Sequence, residues 1–227
     1  MRIGGLQKSS LVDYPGKICA IVFTVGCNFR CPYCHNPELV DETAPLIDEE
    51  EVFGFLDSRT GKLDAVTVTG GEPTMHKDLL PFLKRIKEKG FLVKLDTNGT
   101  NPGMVKKALN EGLVDYLAMD IKAPLAAYSA LVAHPVNTEL IRESVRLLLY
   151  SGVPYEFRTT VVKPLLSPDD FDAIGALIRG ATRYYLQKFV PTKILNPQFI
   201  KKVTYSDEEF ADIRQKMLAY VDECFVR

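Results

Sequence analysis

The sequence carries no excess of positive charge: 28 Lys and Arg against 29 Asp and Glu leave a formal net charge of −1. A nucleic-acid surface normally shows a basic excess, so no such partner is expected. Long hydrophobic runs are missing too. The longest apolar stretch, residues 18–25, falls far short of the roughly 20 residues that span a bilayer, so no membrane partner is expected either. The first residues (MRIGG) lack the apolar core and cleavage site of a signal peptide, and a cytoplasmic location is the expectation. No Pro-, Gly- or Ser-rich linker, low-complexity run or internal repeat breaks the chain. A single domain over 1–227 is expected, long enough to bury a sizeable core.

Cysteine is scarce, and its distribution excludes a disulfide framework. Of the five cysteines, Cys27, Cys31 and Cys34 fall within eight residues. In a reducing cytoplasm, thiols clustered in this way read first as metal ligands. Cys19 lies in an apolar strand and Cys224 in a C-terminal helical pattern, where core packing is expected of both.

Apolar strands and helical patterns alternate along the chain. Strands are expected at 18–25, 64–69, 91–96, 116–121, 155–162 and 183–190. Between them, helices are expected at 48–58, 77–89, 102–111, 139–151 and 168–179. Asp48 can cap the first, Pro102 opens the third, and Gly90, Gly112 and Gly152 close three of them. A last helical segment covers 207–225, with Ser206 and Glu209 spaced for a capping box. Strands joined by helices of this length imply an α/β fold of parallel βαβ units. Pattern alone leaves both a barrel and an open doubly wound sheet standing.

The cysteines form a C-x3-C-x2-C loop (CNFRCPYC) directly after the first strand. No fourth cysteine is near, so a ferredoxin-type or four-cysteine zinc site is incomplete. Two readings stand at this point. His35 can complete a structural Cys3His zinc site, or the open position can take a substrate or cofactor. Three polar elements follow other strands. Gly70, Gly71 and Glu72 come after the second, where paired glycines allow close backbone approach and Glu72 can fix an ammonium or the loop itself. Asp96 opens a DTNG turn after the third. Asp120 and Lys122 end the fourth on one face, with Ile121 on the other.

Together these motifs resemble the radical S-adenosylmethionine (SAM) superfamily. The resemblance implies a partial (βα)6 barrel of parallel strands, with a preamble at 1–17, a core at 18–190 and a C-terminal helical segment at 191–227. It also implies one 4Fe–4S cluster held by Cys27, Cys31 and Cys34, with the amino and carboxylate groups of SAM on the fourth iron. One electron cleaves SAM to methionine and a deoxyadenosyl radical, which abstracts hydrogen from a substrate. The GGE element implies that Gly70, Gly71 and Glu72 hold the SAM amino group. Asp96, Asp120 and Lys122 are implied as further SAM contacts.

A narrower group, the activating enzymes of glycyl-radical enzymes, shares the DTNG turn, the D-x-K element and the C-H-N that places Tyr33, His35 and Asn36 near cluster and cofactor. Arg158 on the fifth strand matches an arginine that helps surround SAM there. The sixth strand (LQKFVP, 186–191) has no histidine, so the histidine contact of some activases does not carry over. The preamble GLQKSSLVDYPGK (5–17) is most similar to activases of anaerobic ribonucleoside-triphosphate reductase. The implied partners are a glycyl-radical enzyme as protein substrate and flavodoxin or ferredoxin as reductant. The alternatives are a radical SAM enzyme acting on a small molecule or another peptide, and a non-catalytic zinc-binding or electron-transfer module.

Overall fold

The computed structural model describes residues 1–163 and 165–227. Strand β1 (Ile3–Ser10) leads into β2 (Cys19–Thr24), then α1 (Pro37–Val40) and α2 (Glu49–Asp57). Strand β3 (Ala65–Gly70), α3 (Leu79–Glu88), β4 (Leu92–Thr97) and α4 (Pro102–Asn110) follow. Next come β5 (Tyr116–Asp120), α5 (Tyr128–Leu131), α6 (Thr138–Leu149) and β6 (Tyr155–Val161). The chain ends with α7 (Asp170–Leu177), β7 (Arg183–Lys188), α8 (Asp207–Met217) and β8 (Glu223–Val226). Strand order in the sheet follows chain order from β1 to β8. The pairs β2–β3, β3–β4, β6–β7 and β7–β8 are parallel. No helix among the described residues is long and apolar enough to cross a membrane.

Local chemistry explains most boundaries. The Asp48 carboxylate accepts from the Glu50 amide at 2.9 Å and starts α2, and Asn101 caps α4 in the same way with Pro102 behind it. Ser206 and Glu209 form the expected capping box on α8. Strands β2 and β3 are buried over their first four residues, all apolar but Thr67, as parallel strands covered by helices require.

Three expectations are corrected. The preamble is not a mere lead-in, because β1 pairs antiparallel with β2, so one edge of the parallel sheet carries an antiparallel strand. The C-terminal segment is not wholly helical: α8 stops at Met217 and the chain turns into β8. Cys224 therefore lies in a strand rather than a helix. The unpaired edge of β7 decides this, matching Tyr184 to Cys224 and Leu186 to Val226 and satisfying backbone groups that a continued helix would leave open.

The chain divides into two compact units. The first holds Met1–Asn28, Glu38–Thr97 and Asn101–Leu117. Its helices α2 and α3 bury Phe53, Leu56, Phe82, Leu83 and Ile86, with the Phe53 and Phe82 ring centroids 5.2 Å apart. Each such side chain contributes about 1.5–3 kcal/mol on burial. Cys19 packs there with Tyr14, Ile21, Ala65 and Tyr116, so it is a core residue as expected. The second unit holds Phe29–Pro37, Asn98–Thr100 and Ala118–Arg227. Its core includes Ile141, Val145, Leu148, Phe157, Phe171 and Tyr184, and Cys224 is buried in it.

Candidate cofactor site

In the first unit, Gly70 and Gly71 pack directly on the end of β2. A Cβ on Gly71 would lie 1.9 Å from the Gly26 carbonyl oxygen, and one on Gly70 2.4 Å from the Thr24 nitrogen. Gly70 also has a φ of +113°, which side-chain-bearing residues rarely adopt. The Gly71 amide donates to the Thr24 carbonyl and the Glu72 amide to the Gly26 carbonyl, both at 2.8 Å. Gly26 immediately precedes Cys27, so the glycine pair fixes the backbone from which the cysteine loop departs. The glycines make room for protein backbone here, a closer constraint than room for a ligand alone.

Glu72 is almost fully buried. Its Oε1 accepts from the Thr74 amide at 3.1 Å, from the Thr74 hydroxyl, and from the Thr97 hydroxyl at 2.8 Å. A buried carboxylate with one oxygen held by three donors is oriented before any ligand arrives. Asp96, on β4, pairs with the Lys94 ammonium in a buried site.

In the second unit, the cysteine loop is held from both sides. The Phe29 ring meets Tyr128 at 6.1 Å, and the Arg30 amide donates to the Val132 carbonyl at 2.9 Å. The Leu195 amide donates to the Cys34 carbonyl and the Asn196 amide to the Pro32 carbonyl, each at 2.9 Å. Cys31 is buried and Cys34 half-buried. Burial pushes the Cys31 thiol up to about 11, with the nearby Lys122 ammonium working against it.

Asp120, Lys122 and Arg158 form one network. The carboxylate accepts from Arg158 Nε at 2.8 Å and from Lys122 Nζ at 3.0 Å. Burial favours the neutral carboxyl, but the two cations overcome it and hold Asp120 well below the usual carboxylate range. Burial likewise disfavours the Lys122 ammonium, yet Asp120, Tyr33 and Cys31 outweigh it and keep the charge on. The Tyr128 hydroxyl accepts from the Lys122 amide at 3.2 Å and donates to the Asp120 carbonyl at 3.3 Å, which locks the strand end.

The structure thus brings Gly70, Gly71 and Glu72 to the residue before Cys27, and joins Asp120, Lys122 and Arg158 in a network that bears on Tyr33 and Cys31. His35 is not part of that network. It is exposed, stacks on Phe189 at 5.8 Å and approaches the Thr192 hydroxyl with Nδ1 at 3.5 Å. Asn36 is half-buried directly before α1. Among the described residues, no three His, Cys, Asp or Glu side chains stand together as a metal-holding group.

Two residues with a direct bearing on the site escape a motif search. Lys94 was legible in principle, since Lys94-Leu95-Asp96 is the D-x-K element reversed on a neighbouring strand. Tyr128, fully buried eight residues beyond Asp120, leaves no sequence signal.

The model of the radical SAM superfamily matches residues 21–178, well over half of the chain. The chain belongs to the radical SAM superfamily. It is therefore an enzyme of oxidoreductase type whose cofactors are a 4Fe–4S cluster and SAM. A relative in Methanocaldococcus jannaschii, named "Putative glycyl-radical enzyme activating enzyme", is 31% identical over 230 residues, covering 99% of this chain and 95% of its own length. The pyruvate formate-lyase-activating enzyme of Clostridium pasteurianum is 35% identical over 53% of this chain and 52% of its own. Among solved structures, a domain of the pyruvate-formate lyase-activating enzyme of Bacteroides vulgatus matches with a TM-score of 0.57 at 19% identity, covering 72% of this chain and 99% of that one. At that identity the likeness speaks for the fold.

The donor set suits these cofactors. All five cysteines are free thiols, three of them on one loop. The buried Tyr33 hydroxyl faces the Cys31 sulfur and helps to favour its thiolate, the form in which a cysteine holds iron.

Proposed function

We propose that this chain is an activating enzyme that generates a glycyl radical on a partner enzyme, and that the partner is an anaerobic ribonucleoside-triphosphate reductase. The observation that carries this is the end-to-end similarity to the glycyl-radical enzyme activating relative, which spans almost all of both chains. The preamble at 5–17 and the 186–191 segment favour the reductase as partner. Flavodoxin or ferredoxin would supply the electron, in the cytoplasm.

In this reading Cys27, Cys31 and Cys34 hold the cluster as thiolates, and the protein works as one catalytic domain over 1–227. When bound, the cofactors supply the electron and the carbon radical that removes a glycine Cα hydrogen. The chain's own residues orient and shield. Gly70, Gly71 and Glu72 take the SAM amino group, with the Glu72 carboxylate already aimed by Thr74 and Thr97. Asp120 holds Lys122 and Arg158 in place, so either cation can meet the SAM carboxylate without first being ordered. Asp96, with its charge balanced by Lys94, suits ribose or methionine contacts. Tyr33 packs beside the cluster, and His35 and Asn36 line the approach to it.

The test is anaerobic incubation of the reconstituted protein with SAM, a reductant and the reductase. A glycyl doublet by electron paramagnetic resonance, with methionine and deoxyadenosine released, is expected. Deoxyadenosine without a glycyl signal would leave a radical SAM enzyme with another substrate. Zinc bound in place of iron and sulfide would return the loop to a structural site.

A further inference from the structure

Strand β5 ends at Asp120, and Lys122 lies two residues beyond it. One side of this strand end is paired by β6. The Ile121 amide donates to the Arg158 carbonyl at 2.8 Å, and the Thr159 hydroxyl donates to the Ile121 carbonyl at 2.7 Å. The Asp120 carbonyl and the Lys122 amide are met instead by one side chain, the Tyr128 hydroxyl, which donates to the first and accepts from the second. Tyr128 is fully buried, and a buried hydroxyl costs stability unless it is paired. A phenylalanine would fill the same space, so the hydroxyl is there for these two backbone groups. Burial pushes the phenol well up, so the hydroxyl keeps its proton and both roles.

Tyr128 also reaches the cysteine loop. The Phe29 ring meets its ring edge-on at 6.1 Å. Tyr128 opens the short turn α5, whose end is closed by the Val132 amide donating to the Tyr128 carbonyl at 3.0 Å. The Val132 carbonyl in turn accepts from the Arg30 amide at 2.9 Å. Residues 29 and 30, between Cys27 and Cys31, are thereby tied to the strand end that carries Asp120 and Lys122.

We propose that Tyr128 is a positioning residue for SAM, its hydroxyl fixing the strand end that presents Lys122 and its ring fixing the cysteine loop against that strand end. This rests on the reading of Lys122 and Arg158 as a clamp for the SAM carboxylate, and deepens it. A ligand held at once by a group on the loop and by a lysine tolerates little drift between the two. A misplacement of about 1 Å can cost a hundredfold. A single buried anchor shared by both parts removes that drift.

The test uses the full chain, reconstituted anaerobically, as wild type, Tyr128→Phe, Phe29→Leu, Lys122→Met, Arg158→Ala and the double variant K122M/Y128F. Iron and sulfide content, melting temperature by circular dichroism and SAM affinity by equilibrium dialysis are all read without turnover. Tyr128→Phe is expected to keep its iron and to bind SAM about tenfold more weakly. In the Lys122→Met background the same change should cost less than about threefold further, because its effect runs through that lysine. Phe29→Leu, which removes the ring contact and leaves the Tyr128 hydroxyl in place, should bind less iron. Wild-type SAM affinity in Tyr128→Phe, with Lys122→Met weakened, would overturn the inference and leave the clamp standing. A full further tenfold loss in the double variant would also overturn it, by marking a general loosening of the core. Wild-type iron in Phe29→Leu would do the same. Unchanged affinity in both Lys122→Met and Arg158→Ala would remove the clamp itself, and the inference with it.

Discussion

Asp120 sits between Arg158 and Lys122, with its side chain 24% exposed and that of Arg158 12%. Removing one cation from a largely buried carboxylate leaves charge uncompensated. Arg158→Ala should cost about 1–3 kcal/mol at neutral pH, less than a lone buried charge because Lys122 remains. The sign with pH follows from the direction of the shift. The folded carboxyl titrates below its ordinary value of 3.8, so the pair's contribution is complete above that value and is lost as pH falls through the folded value. The gap between wild type and Arg158→Ala in denaturant titrations should therefore narrow only below about pH 4. A gap that stays constant down to pH 3 would show that Asp120 is not the group involved. At the same scale, Cys27→Ala, Cys31→Ala and Cys34→Ala should each abolish SAM cleavage and strip the iron–sulfur absorption. Cys19→Ala should keep both, losing about 1 kcal/mol of stability to the small cavity left beside Tyr14 and Ile21.

The proposed site rests on strand ends, and two glycines test how rigidly. Gly71→Ala places a methyl group 1.9 Å from the Gly26 carbonyl oxygen, and backbone cannot move aside cheaply. A loss of about 3 kcal/mol or more is expected, with poor iron incorporation because Gly26 leads into Cys27. Gly54→Ala, on the exposed side of α2 with nothing near, should instead gain about 0.5–1 kcal/mol. Equal melting temperatures and iron contents for the two variants would contradict this account of the GGE element. Much of each element was legible in advance: Asp48, Pro102 and Ser206 mark helix starts through short-range hydrogen bonds and fixed φ, which depend only on neighbours in sequence. The strand β8 was not legible. Residues 218–226 continue the helical pattern of α8, and only the open edge of β7 makes pairing the better use of their backbone.

The boundary between the two compact units falls inside β5, after Leu117, and both units are built from separated stretches of chain. Strand β5 (Tyr116–Asp120) is one continuous element across that boundary, so urea unfolding should give one transition by far-UV circular dichroism. Two resolved transitions would contradict it. Removing the cluster should leave that spectrum intact, since the buried side chains of the core make contacts that need no metal. By itself the sequence determined the βα alternation, the cysteine loop and the polar residues at strand ends, because periodicity, spacing and capping are local and survive in a linear string. Tertiary structure alone decided what those residues touch. It pairs Lys94 with Asp96, sets the Tyr128 hydroxyl on the Asp120 strand end, draws His35 onto Phe189 and presses Gly71 against Gly26. Such contacts join residues far apart in sequence, and burial turns them from optional surface pairs into obligatory ones: a polar group away from water must find a partner, and the fold alone says which is within reach.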